Sequence, residues 1–330
     1  IIITIILPMV QTHTLIVGAS ISGLACAAAL QKAGIAYIII EKHGQVAMPW
    51  RNHYERLHLH TSKRLSNLPY KKFDKNIPRY PCRLQVLDYL DDYKKTLNIQ
   101  PVFNTEAHSI RKEGDDWITA TTDETYQSKY IIIATGPYGR PRALQFQGME
   151  SFPGTLIHSS AYKTGKDFTG QRVLVVGFGN SACEIAIDLF EQGAIPVMAV
   201  RSPVNVIPRD IFGIPVLELS LFLSKLPARL ADTINAPLLR LLVGDITKLG
   251  LKRKPYGPYE EIKKDGTIPL LDIGTIRHIR QEHIKVKGDI DHIEGKTIYF
   301  KDGSSAEFDT IVAATGYYSD IEQLLAVDRS

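Results

Sequence analysis

Thr14-Leu15-Ile16-Val17-Gly18-Ala19-Ser20-Ile21-Ser22-Gly23 is a short apolar run that breaks into a turn bounded by glycines. An alanine-rich helix at 24–32 follows, then a second apolar strand at 37–40 that ends in Glu41. The same order returns later in the chain. There, apolar residues 173–176 lead into Gly177-Phe178-Gly179-Asn180-Ser181-Ala182, a helix to Glu191 and a strand at 197–200. Gly18 and Gly177 lie as far apart as the two helix-ending glycines, Gly34 and Gly193. In each copy the first glycine permits a tight turn from strand to helix, and a small third residue (Ser20, Gly179) lets a pyrophosphate reach the backbone. Gly23 and Ala182 let the helix pack closely on its strand, so that its N-terminus faces the phosphates. One such match is weak evidence. Two, each between a strand and a helix and evenly spaced, are strong. Ser20 stands where the middle glycine of such loops is usual.

Segments near 105–111, 117–121 and 126–133 alternate polar and apolar residues and end in Ala134-Thr135-Gly136. Segments at 284–287, 297–300 and 308–313 do the same and end in Ala314-Thr315-Gly316. Both sets read as β-meanders. The predicted fold is α/β: two Rossmann-like dinucleotide-binding domains, each with a β-meander, joined by a two-segment linker. Two such units in one chain imply a flavin plus a nicotinamide cofactor. Glu41 closes the second strand of the first unit, where a carboxylate can accept hydrogen bonds from a ribose diol. At the matching place in the second unit stand Val200, Arg201 and Ser202. Removing the acid and supplying a guanidinium suits a 2′-phosphate. The first unit is therefore expected to hold FAD and the second NADPH, with Arg209 and Lys254 as alternative phosphate ligands to Arg201.

The chain has 330 residues, 44% hydrophobic and 22% charged, which is ordinary globular composition and long enough for about two domains. A net charge of +4 without a dense basic run gives no reason to expect nucleic acid as a partner. Cys26, Cys82 and Cys183 are widely spaced and form no CxxC pair. They imply a reducing, cytoplasmic compartment and no disulfide framework, zinc site or dithiol centre. Residues 1–7 are apolar apart from Thr4 but too short to span a bilayer, and they lack a basic n-region. The first methionine is Met9, so residues 1–8 are not expected to belong to the native start. The apolar stretch 211–251 is interrupted by Lys225, Arg229, Asp232, Arg240 and Asp245. It predicts amphipathic helices that pack on the body or form a lid, with no transmembrane segment.

Phe152-Pro153-Gly154-Thr155-Leu156-Ile157-His158-Ser159-Ser160-Ala161-Tyr162 resembles the FxGxxxHxxx(Y/F) fingerprint of the flavin-containing monooxygenases. Its Phe152, Gly154, His158 and Tyr162 meet every specified position; the Baeyer–Villiger group carries tryptophan at the last one. Tyr54-Glu55-Arg56-Leu57-His58-Leu59-His60, Tyr80-Pro81, Val200-Arg201-Ser202-Pro203, Ile207-Pro208-Arg209 and Ala314-Thr315-Gly316-Tyr317 are similar to the plant YUCCA branch of that family. The likeness runs from about Thr14 onward. It implies that NADPH reduces FAD, that oxygen adds to the reduced flavin at C4a, and that the oxidised nicotinamide stays bound to shield the resulting peroxyflavin. The implied reaction is oxidative decarboxylation of indole-3-pyruvate to indole-3-acetate in auxin synthesis, so the partners are an aromatic 2-oxo acid and molecular oxygen. Two alternatives stand beside it. One is oxygenation of nitrogen or sulfur in small molecules, and the other is an FAD- and NADP-binding protein without coupled turnover. Flavin disulfide reductases share the plan but need a redox-active cysteine pair, which this spacing does not offer.

The FAD candidates are Gly18, Ala19, Ser20, Ile21, Ser22, Gly23, Glu41, Trp50, Ala134, Thr135 and Gly136. The NADPH candidates are Gly177, Phe178, Gly179, Asn180, Ser181, Ala182, Arg201, Ser202, Thr315 and Gly316. Trp50 reads equally as a neighbour of the flavin and as core packing. Flavin chemistry needs no protein nucleophile, and no convincing acid–base pair is present. His60 and Lys63 are the candidate catalytic side chains, with a polar strand end as the simpler reading. Aligned with the family, His60 stands where many members carry an active-site asparagine. His58 and His60 would share a strand face, but no third or fourth ligand accompanies them and no metal is expected. The expected domains are an FAD-binding part at 9–165 returning at 305–330, with the NADPH-binding domain inserted at 166–304. Family members continue well beyond Ala-Thr-Gly-Tyr, whereas only 318–330 follow Tyr317. The last segment is therefore expected to be incomplete, with weak FAD binding and leakage of hydrogen peroxide.

Overall fold

A computed structural model describes residues 8–325. The chain forms two compact units, each discontinuous in sequence. The first runs to His53 and adds Ser66–Arg142 and the residues from Gly316; the second is Tyr54–Leu65 with Ala143–Thr315.

In the first unit, β1 (Met9–Val17), α1 (Ile21–Lys32), β2 (Tyr37–Ile40), α2 (Met48–Asn52), α3 (Arg83–Thr96), β3 (Ala107–Glu113), β4 (Asp116–Thr121) and β5 (Thr125–Ile133) follow in order. The sheet order is β2-β1-β5-β4-β3. β1 runs parallel to β2 and β5, while β5, β4 and β3 form the antiparallel meander. Leu15, Val17, Ile40, Ile110 and Tyr126 fill the core on one face. Two residues, β6 (Arg140–Pro141), end this stretch.

The second unit contains β7 (Thr155–His158), β8 (Arg172–Val176), α4 (Asn180–Glu191), β9 (Ile195–Ala199), β10 (Val206–Pro208) and the small pair β11 (Asp210–Ile211) and β12 (Ile214–Pro215). It continues with α5 (Val216–Leu223), α6 (Ala228–Val243), α7 (Pro258–Asp265), β13 (Leu270–Asp272), α8 (Thr275–Arg280) and β14 (Lys285–Lys287). It closes with β15 (Ile290–Glu294), β16 (Thr297–Phe300), β17 (Ser305–Glu307) and β18 (Thr310–Ala313). The main sheet has the order β14-β9-β8-β18-β7, and every pairing in it is parallel. β19 (Tyr317–Tyr318) and α9 (Ile321–Leu324) return to the first unit, where β19 pairs with β6.

Three expectations change. The second meander is not made of 284–287, 297–300 and 308–313. β14 lies parallel beside β9 and β18 lies between β8 and β7, while the meander proper is β15-β16-β17. All four residues of β18 are buried, because a parallel strand is covered on both faces, so alternation could not identify its partner. The boundaries at 165/166 and 304/305 also move. β7 and β18, placed by sequence in the FAD part, complete the second unit's sheet, and Tyr54–Leu65 joins that unit as well. The segment returning to the first unit thus starts at Gly316. Of the expected non-native start, residues 1–7 lie outside the described residues, as do 326–330 of the expected incomplete end. Pro8 accepts a backbone hydrogen bond from Thr125, and Met9 opens β1. Among the described residues, no helix is long and apolar enough to cross a membrane.

Candidate functional site

The two glycine loops share one construction. The Gly18 N–H donates to the Ile40 carbonyl at 2.8 Å, and the Gly177 N–H donates to Ala199 at 3.0 Å. Their φ angles are +105° and +125°, a region that L side chains rarely occupy. A Cβ at Gly18 would lie 2.7 Å from the Ala134 oxygen, and one at Gly177 would lie 2.6 Å from the Ala314 oxygen. Each Ala-Thr-Gly run therefore begins against its loop. Ser20 and Gly179 cap the two helices, their carbonyls accepting from the N–H groups of Leu24 and Cys183. A Cβ at Gly23 would sit 1.9 Å from the Gly18 oxygen, so only glycine fits. The second loop accommodates Ala182 at that place.

Glu41 is 8% exposed. Its Oε2 accepts from the Ala19 N–H at 2.8 Å and its Oε1 from the His43 N–H at 3.1 Å, and each oxygen retains a lone pair for a ribose hydroxyl. Ala47 also donates to the Ala19 carbonyl, which anchors α2 and the half-buried Trp50 to the first loop. Arg201 and Ser202 follow the buried Val200 and are exposed. Lys254 is held by Glu261 at 2.9 Å and Asp265 at 2.5 Å, and Arg209 pairs with Asp210. Both alternative phosphate ligands are thus engaged by carboxylates.

The Phe152-to-Tyr162 stretch builds the edge of the second unit's sheet. A Cβ at Gly154 would meet the Asp309 oxygen at 2.2 Å and the Phe152 ring at 2.6 Å, so glycine lets the ring fold back on the backbone. His158 ends β7 opposite Ala313, and its Nδ1 accepts from the Ser160 N–H at 3.1 Å. The Tyr162 hydroxyl donates to Asp188 of α4 at 2.6 Å, and Asp188 also accepts from the Gly165 N–H at 2.8 Å. Burial and that carboxylate push the Tyr162 phenol far above its ordinary range.

The Tyr54–Leu65 segment crosses the second unit as a strap. The Glu55 N–H donates to Lys163, Arg56 pairs with Glu191 at 3.0 Å, and His60 Nε2 pairs with Glu184 of α4. Ser62 donates to Glu218 at 2.6 Å, and Arg64 donates to the same carboxylate at 2.7 Å. Lys63 is half-buried within the strap, and His58 is exposed with Nδ1 on the Arg56 carbonyl.

Residues 15–208 match the pyridine nucleotide-disulphide oxidoreductase family. Indole-3-pyruvate monooxygenase YUCCA6 of Arabidopsis thaliana is 39% identical over 330 residues, covering 97% of this chain and 79% of that protein. Indole-3-pyruvate monooxygenase YUCCA1 of Oryza sativa subsp. japonica is 37% identical, covering 94% and 78%. The chain belongs to the YUCCA branch of the flavin-containing monooxygenases. A flavin-containing monooxygenase from Stenotrophomonas maltophilia has the same fold, with a TM-score of 0.72 at 19% identity, covering 96% of this chain and 81% of that one.

Members of the YUCCA and wider flavin-containing monooxygenase family use FAD and NADPH. Both loops fit a dinucleotide: each has a backbone turn that a side chain would obstruct, beside a helix N-terminus. Gly18 to Gly23, Glu41, Ala134, Thr135 and Gly136 gather in the first unit, and Gly177 to Ala182, Arg201, Ser202 and Thr315 in the second. Gly316 departs from that grouping. It belongs to the first unit, where its carbonyl accepts from the Arg142 N–H. Sequence reasoning missed the acids of α4. Glu184 and Asp188 lie in a run, Ala182 to Leu189, in which every residue is buried. Their four-residue spacing was the available signal. The 211–251 stretch does form helices, α5 and α6. A cavity of about 300 Å³ lies beneath α6, floored by Val206, Leu239, Val243 and Ile246 with Arg240 and Arg253 at its lining.

Proposed function

We propose that this flavin-dependent monooxygenase oxidatively decarboxylates indole-3-pyruvate, with FAD on the first unit and NADPH on the second. The observation that carries the reading is the unlike chemistry at the ends of two matched loops, a buried glutamate at one and an exposed arginine at the other. Glu41 fixes the first loop through the Ala19 N–H and takes the ribose of the FAD adenosine half. Gly18 makes the tight turn, Gly23 seats α1 against it, and the small Ser20 leaves the backbone open to the pyrophosphate, with the N-terminus of α1 facing that charge. Gly177 and the N-terminus of α4 do the same for NADPH, while Arg201 binds the 2′-phosphate. Reduced by NADPH, bound FAD supplies the oxygen-activating chemistry. In balance, indole-3-pyruvate, O2, NADPH and a proton give indole-3-acetate, CO2, NADP+ and water.

The relatives' activity on indole-3-pyruvate supports the choice of substrate. A reducing, cytoplasmic setting belongs to the same reading, favoured by free Cys26, Cys82 and Cys183. The test is liquid chromatography of products from indole-3-pyruvate, phenylpyruvate and a tertiary amine with NADPH and oxygen. Indole-3-acetate from the first is the expected result; oxygenation of the amine alone would overturn the substrate assignment.

A further inference from the structure

Helix α4 is buried on all sides along its middle, yet it carries a polar stripe at four-residue spacing: Asn180, Glu184 and Asp188. Two of the three hold structural partners. Asn180 Oδ1 accepts from the Leu271 N–H at 3.1 Å, and Asp188 binds Tyr162 and Gly165. Glu184 is different. It is 1% exposed, its Oε1 meets His60 Nε2, and its Oε2 has no hydrogen-bond partner. A buried carboxylate with a bare oxygen carries a desolvation cost that its pairing offsets only in part.

The strap removes the remaining freedom of His60. Arg56 is tied to Glu191 on one side, and Ser62 and Arg64 are tied to Glu218 on the other. The imidazole is 15% exposed, so it is partly open to the surface while its Nε2 is committed to Glu184. Asn180 opens α4 and belongs to the second glycine loop, so Glu184 lies one helical turn from the phosphate-binding end.

We propose that His60 contacts the nicotinamide dinucleotide bound at this loop, and that Glu184 is the positioning residue that sets its ring orientation and tautomer. The inference rests on the assignment of the second loop to NADPH. A histidine whose far nitrogen is fixed by a carboxylate presents one defined edge to a ligand, and it screens the ligand's phosphates from the carboxylate behind it.

The experiment measures NADP+ affinity by isothermal titration and thermal stability by calorimetry, on the parent protein and on Glu184→Leu, Glu184→Gln, His60→Gln and the Glu184→Leu/His60→Gln double variant. Glu184→Leu is expected to bind NADP+ about tenfold more weakly, the size of one hydrogen bond. His60→Gln should lose a similar factor, and the double variant should be no worse than either single one. Should Glu184→Leu fail to fold, Glu184→Gln carries the same comparison. Parent-like affinity in the variants, with only the melting temperature lowered, would make the pair a structural pin and overturn the proposal. Absence of NADP+ binding by the parent would instead overturn the assignment of the loop, and this inference with it.

Discussion

Arg201 stands exposed after β9, with the loop and helix of a dinucleotide site before it and no acid at the strand end. Lys254 and Arg209 have carboxylate partners of their own, which favours Arg201 among the three for the proposed 2′-phosphate contact. A charge-assisted pair of this kind contributes about 1.5–3 kcal/mol. Arg201→Ala is expected to raise the KM for NADPH about tenfold or more and to leave that for NADH nearly unchanged. Steady-state kinetics with both coenzymes checks this, and unaltered discrimination would move the phosphate to another residue. Cys183 illustrates the opposite case at the same scale. Its position on the second loop's helix suggests reactivity, but burial pushes the thiol well above its ordinary value, so it packs as a small apolar group.

At the scale of elements, α8 packs on the end of α4 through a ring cluster. His283 stacks on Phe190 at 4.3 Å between centroids, and His278 Nδ1 lies 3.2 Å from His283 Nδ1. Burial, then Arg277 and His283, hold His278 below its ordinary value, with Arg56 adding to the effect and Glu191 opposing it. A base with a depressed folded pKa is protonated more readily in the unfolded chain. The stability it contributes is therefore present above about pH 6.5 and is lost as pH falls below that value toward the lowered folded pKa. Between about pH 7.5 and pH 5.5, the parent's melting temperature should fall more than that of His278→Phe. Equal falls would remove His278 from the acid sensitivity. The acids of α4, Glu184 and Asp188, are covered by the strap through His60 and by Tyr162.

On the scale of the whole molecule, the chain passes between the units four times, after His53, Leu65, Arg142 and Thr315. The second unit's sheet takes β18 from the far end of the chain and β7 from before the glycine loop. A fragment 166–304, the domain suggested by sequence, would lack both strands and leave one side of β8 unpaired over its buried Val173, Leu174 and Val175. It is expected to aggregate or melt without a cooperative transition, whereas the full chain should show one or more cooperative transitions by circular dichroism. A cooperatively melting 166–304 fragment would show that β7 and β18 are dispensable.

The turns of the two glycine loops were legible in the sequence because local backbone geometry dictates them. A turn at φ beyond +100° and a Cβ-free approach admit few residue types, so the residues announce the turn. Strand partners were not legible in that way. The alternation at 284–287 marks a strand without naming its neighbour, and β18 lost its alternation by being covered on both faces. The strap and its ties to Glu184, Glu191 and Glu218 were least visible of all, because they join residues more than a hundred positions apart. No local rule specifies such pairs. They follow from tertiary packing, which lays the strap against α4 and α5.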